Sequence, residues 1–145
     1  MKKMLMMGGL LAALVLGCLG VSRGNDIGTH PELEKLQASA VPGLRRAAAD
    51  AAGYKLTDVV AKASPHLINI TIVNSKLNNA GTLERKNEAS VISTAVARTI
   101  ADKPEFADIM MIHVDYVKRK GTHDDVIQGL DFSKNPAGGF SPHIT

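Results

Sequence analysis

The stretch MMIHVDYVKRK, Met110–Lys120, alternates apolar and polar side chains with a period of two, the pattern of a strand with one face buried and one in water. Ile112, Val114 and Tyr116 point one way; His113, Asp115 and Arg119 point the other, together with Met111 and Val117. One face therefore belongs to a core. The other carries the densest set of ionisable groups in the chain.

Immediately upstream, Thr82 can cap a helix whose first turn carries Glu84, where an acidic side chain suits the positive helix end. Ala89, Ile92, Ala95, Val96, Thr99 and Ile100 recur at spacings of three and four and define one apolar face. Arg85, Lys86, Glu88, Arg98 and Asp102 fall mostly off it, Pro104 ends the helix, and Phe106 is placed to hold that end to the core. Before the helix, His66–Asn74 reads HLINITIVN. Ile68, Ile70 and Ile72 form a stripe with Asn69 and Thr71 between them, a second strand of β-branched residues. Downstream, Gly121-Thr122-His123-Asp124 has hairpin length, and DVIQGLDF, Asp125–Phe132, predicts a third strand.

The flanks are weaker. Pro31 opens a short helix, PELEKLQASA, which Pro42-Gly43 interrupts. Leu44–Ala52 is helical by its alanine content and, being a poor packer, is expected at the periphery, with Gly53 as its stop. Thr57 looks like the cap of a brief helical turn, DVVAKA, closed by Ser64-Pro65. Asn135-Pro136-Ala137-Gly138-Gly139 marks the end of regular structure, so residues 135–145 are expected to be an irregular tail. The fold class that results is α+β: a small two-layer domain over residues 31–134, with a mixed three-stranded sheet in the order β-α-β-β and helices on one face.

Setting Arg119 opposite Asp125 in the hairpin brings Val114 to Leu130 and Ile112 to Phe132, so apolar residues meet on the core side. The same register puts His113 opposite Asp131, with Asp115 two residues along on the same face. If the first strand is a neighbour, Asn69 and Thr71 join them. Two carboxylates beside an imidazole favour its charged form, and the set could in principle offer mixed nitrogen and oxygen ligands to a divalent metal. The plainer reading is that a sheet covered on one side leaves polar residues in water on the other, where cross-strand pairs contribute little.

The first thirty residues predict a destination rather than a fold. Lys2 and Lys3 precede an uncharged apolar run, Met4–Gly17, which is shorter than a membrane span of ~20 residues. Leu14-Val15-Leu16-Gly17-Cys18 resembles the lipobox of bacterial lipoproteins. That resemblance implies cleavage before Cys18, lipid on its sulfur, and a membrane-anchored protein of the cell envelope facing the periplasm. Leu16 departs from the pattern, which favours a small residue two places before the cysteine. Ordinary cleavage after Gly20 or Gly24, or a retained signal anchor, are the alternatives. Residues 18–30, with Ser, Arg, Asn, Asp and Gly, then read as a flexible tether.

Composition narrows the function classes. Cys18 is the only cysteine, so the domain beyond it has no disulfide and no thiol chemistry. Without residues 1–17 the charge balance is 15 basic against 14 acidic, a net of +1, and gives no footprint for nucleic acid. Three Phe, two Tyr and no Trp supply little stacking surface. No nucleophile elbow or phosphate-cradling glycine loop is present in the sequence, and no cofactor is implied. The expectation is an exported, lipid-anchored envelope protein that acts as a non-catalytic binding domain, toward an envelope protein or a second copy of itself. The interaction face would be Asn69, Thr71, His113, Asp115 and Asp131. The alternative is a small metal-binding protein or enzyme that uses His113, Asp115 and Asp131.

Overall fold

The computed structural model describes residues 30–143. The signal-like segment 1–17, Cys18 and all of the tether but His30 lie outside the described residues. In chain order the elements are α1 (Pro31–Ala52), β1 (Val59–Ala63), β2 (Leu67–Val73), α2 (Thr82–Ile100), β3 (Met111–Lys120), β4 (His123–Lys134) and β5 (Phe140–Pro142). They form an α+β domain with one mixed sheet in the order β1-β2-β3-β4-β5. β2 and β3 are parallel and joined through α2, while every other pair is antiparallel. No helix among the described residues is long and apolar enough to cross a membrane.

The sheet has five strands rather than the expected three, and both additions have local causes. In VVAKA the residues Val59, Ala61 and Ala63 lie opposite Ile72, Ile70 and Ile68, so the segment extends the isoleucine stripe as a strand instead of forming a helical turn. A three-residue turn at Leu56–Asp58 takes the place of the expected helix start. In the tail, Asn135 folds the chain back: its amide donates to the Gly139 carbonyl (2.8 Å), and its side-chain oxygen accepts from the Ala137 and Gly139 amides (3.1 and 3.0 Å). Residues 140–142 then pair with 132–134. The tail is not irregular there.

α1 is also longer and more central than expected. It runs through Pro42-Gly43 without interruption and ends at Gly53, whose φ of 72° is the left-handed stop that glycine permits. Proline inside a helix costs ~3 kcal/mol, and burial on both sides of it offsets that cost. Gln37 on one side and Leu44, Ala48 and Ala49 on the other are at most 1 % exposed. The alanines are not peripheral; their small side chains let the helix lie close against the rest of the core. With α2 contributing Ala89, Ile92 and Val96, both helices cover one face of the sheet, over Ile68, Ile70, Ile72, Ile112, Val114 and Tyr116.

The β3–β4 register agrees with expectation at one end only. His113 pairs with Asp131, Val114 with Leu130 and Ile112 with Phe132, but Arg119 pairs with Asp124, not Asp125. A bulge between Tyr116 and Val117 accounts for the slip: Gln128 and Val126 face them, and Ile127 is the extra residue. The hairpin loop is just Gly121-Thr122, with Gly121 at φ 63°, the positive value that a two-residue turn requires at its first position.

Candidate functional site

On the face away from the helices, register sets Lys62, Asn69, His113 and Asp131 side by side in one row across β1 to β4. Thr71, Asp115 and Gly129 occupy the next row. The structure brings all five sequence-predicted residues together. His113 Nδ1 lies 2.5 Å from Asp131 Oδ1, and its Nε2 lies 2.8 Å from Asp115 Oδ1. Asn69 Nδ2 reaches Asp115 Oδ2 at 3.4 Å, and the Thr71 hydroxyl donates to Asn69 Oδ1 at 3.1 Å. The result is a continuous polar chain over three strands, Thr71–Asn69–Asp115–His113–Asp131.

Both imidazole nitrogens face carboxylate oxygens. A neutral ring has one N–H and satisfies one such contact; the protonated ring has two and satisfies both. Partial burial opposes the charge, but the hydrogen bonds to Asp131 and Asp115 and the two carboxylate charges outweigh it, so the His113 pKa is raised above 6.5. The side chains of His113 and Asp115 are 25 % and 20 % exposed, and that of Asp131 is 42 % exposed. The cluster is thus fixed in place yet open to solvent at Asp131.

Gly129, opposite Asp115, makes the ring's position possible. A Cβ at that residue would stand 2.9 Å from His113 Cε1, 3.1 Å from its Nε2 and 3.0 Å from Asp115 Oδ1. The imidazole therefore fills the space where a cross-strand side chain would lie. Sequence reading did not single out Gly129; a glycine within a strand pattern, diagonal to a histidine, is the signal that would have found it.

A second polar assembly lies on the helix side and was also missed. Glu88 Oε1 accepts from both tyrosine hydroxyls, Tyr54 at 2.7 Å and Tyr116 at 3.2 Å, and the Tyr54 hydroxyl also meets Ser75 Oγ at 2.5 Å. Arg85, expected off the apolar face of α2, is buried. Its Nε donates to Gln128 (2.6 Å) and its Nη1 to the Leu77 and Ala80 carbonyls (2.9 and 2.5 Å). Burial, followed by Glu88, raises the Tyr116 pKa, and at Tyr54 burial and Glu88 outweigh the opposing Ser75 hydrogen bond, so both hydroxyls stay protonated as donors. This assembly ties the β2–α2 loop to the sheet. The spacing of Arg85 and Glu88 from Ala89 and Ile92, four residues each, was the available clue.

Two of the remaining histidines lie away from the site. His66 Nδ1 lies 3.1 Å from the Asp108 carbonyl, and His123 pairs with Asp125 at the hairpin tip. His143 borders the site: its amide donates to the Asp131 carbonyl at 2.8 Å, and its Nδ1 lies 3.2 Å from Ser133 Oγ. Among the described residues no group of three His, Cys, Asp or Glu side chains is arranged to hold a metal ion. Within the cluster, each imidazole nitrogen is already committed to a carboxylate. Comparison with protein families, curated proteins and solved structures returns no match. The fold and the site define a class only: an α+β domain with an open, charge-ordered sheet face.

Proposed function

We propose that the chain is an exported, lipid-anchored bacterial envelope protein that works as a binding domain through Asn69, Thr71, His113, Asp115 and Asp131. The supporting observation is the placement of His113: Asp131 Oδ1 and Asp115 Oδ1 stand against its two ring nitrogens at 2.5 and 2.8 Å, so neither nitrogen is open to a substrate proton or a metal. The ring serves instead as an oriented charge in a polar row, the kind of feature that gives an interface its register and specificity. The lipobox-like Cys18 and the tether supply the anchor in this reading, and the partner is a protein of the same compartment.

Site-specific photo-cross-linking in cells tests it. A cross-linking residue at Thr71, on the open face, is expected to trap a discrete envelope protein, and the same residue at Val91, exposed on α2, is expected to trap none. Asp131→Asn is expected to reduce the Thr71 product. Cys18→Ser is expected to move the chain from the membrane fraction to the soluble fraction. Equal cross-linking from both faces, or a Cys18→Ser chain that stays in the membrane, would overturn the corresponding half of the proposal.

A further inference from the structure

The sheet's two sides end differently. At the β5 side the edge strand is three residues long and includes Pro142, which has no N–H. Beyond it, the uncovered part of β4 is bulged at Ile127 and carries Asp124 and Asp125. Short length, proline, bulges and charges are the means by which sheets discourage strand addition. β1, at the other side, has an unbroken five-residue register and a single charge, Lys62.

Hydrogen-bond parity shows which β1 groups are free. Ser64 and Leu67 exchange both backbone bonds, N–H to O at 2.9 and 3.4 Å. In an antiparallel pair such exchange alternates, so Lys62 with Asn69 and Val60 with Thr71 bond inward, while Val59, Ala61 and Ala63 point off the sheet. Val59 is already satisfied: its amide donates to the Leu56 carbonyl, and its carbonyl accepts from Arg45 Nε at 2.7 Å. Ala61 and Ala63 have no neighbouring strand among the described residues. Beside them, Lys62, Ala63, Ser64, Leu67 and Asn69 line a shallow depression of about 300 Å³.

We propose that the β1 edge takes up an extended segment of another protein as a sixth strand. The segment carries acidic side chains on the open face beside Lys62 and apolar ones on the helix side. Main-chain bonds to Ala61 and Ala63 supply affinity, and the alternating side chains supply selectivity. A second copy of this chain fits less well. Antiparallel pairing about Ala61 would make the two Lys62 side chains diagonal neighbours on one face, a like-charge contact. The inference is independent of the open-face reading, because a chain that failed the Thr71 cross-linking test would still present this edge.

Selection of random linear peptides displayed on phage against the full chain tests it, with the recovered peptides synthesised and their affinities measured. The expected peptides alternate acidic and apolar residues and slow hydrogen exchange at the Ala61 and Ala63 amides. Ala61→Pro, which deletes one outward N–H, is expected to weaken binding about tenfold, the scale of one lost hydrogen bond. Lys62→Glu keeps the backbone intact and is expected to disfavour acidic peptides in favour of basic ones. No enriched peptide, peptides indifferent to both substitutions, or a dimer abolished by Ala61→Pro would overturn the proposal.

Discussion

On the helix-covered face of the sheet, Tyr54, Arg85, Glu88 and Tyr116 carry polar groups inward and meet partners on other elements, so they fasten α2 and the β2–α2 loop to the strands. On the open face, Thr71, Asn69, Asp115, His113 and Asp131 meet one another within the sheet and fasten nothing to it. The difference separates groups that hold the fold together from groups free to serve the proposed recognition. Covered polar groups cost free energy when a partner is lost, whereas open-face pairs in high dielectric contribute little to folding. The open cluster can therefore be altered with the fold intact, which lets the proposed binding be tested apart from stability.

The sharpest break is Val114→Asp. A carboxylate placed among Ile70, Tyr116 and the α2 residues has no partner, and charge burial of this kind is not tolerated; the cooperative thermal transition followed by circular dichroism is expected to disappear. Leu44→Ala should follow, lowering stability by about 2–5 kcal/mol in urea titration, because α1 belongs to the core. A change below 0.5 kcal/mol would return α1 to the periphery. Glu88→Ala leaves two tyrosine hydroxyls without their shared acceptor and is expected to cost about 1–3 kcal/mol.

Open-face changes should be smaller and more local. Gly129→Val drives a side chain into the His113 ring. The expected result is a shift of the ring's NMR signals and loss of the Thr71 cross-link, with the melting transition still cooperative. The pH dependence is the smallest effect. Because the folded pKa of His113 is raised above 6.5, the unfolded state loses its proton first as pH rises. The stabilisation is complete below 6.5 and is lost as pH climbs through the folded value. Urea midpoints should therefore fall across that window, and less so in His113→Gln.

What could be read beforehand followed the strength of the period-two signal. β2, β3 and the core half of β4 were legible because isoleucine, valine and phenylalanine fix both face and register, and a one-residue slip there would expose them all. The His113–Asp131 pairing followed from that register. β1 was not legible, since VVAKA behind Thr57-Asp58 has as good a claim to a helix start as to a strand; its partner Ile68–Ile72 decides the matter, and that is a tertiary contact. The bulge at Ile127 was hidden for a similar reason. Toward the hairpin tip both strands turn polar, so nothing apolar reports a slip, and Arg119 takes Asp124 with contacts of 2.7 Å while Asp125 goes to Lys120 and His123. α1 crossed Pro42 because burial outweighed local propensity. Gly129 escaped notice because its role is the space it leaves.

The proposed binding face centres on an imidazole held between two carboxylates, and titration of the His113 ring by NMR tests it most directly. Its protons are expected to titrate above 6.5 in the intact chain, with the midpoint falling in Asp131→Asn and again when Asp115→Asn is added. A midpoint at or below 6.5 that neither substitution moves would show His113 to be an ordinary surface histidine and would remove the basis for a binding site on this face.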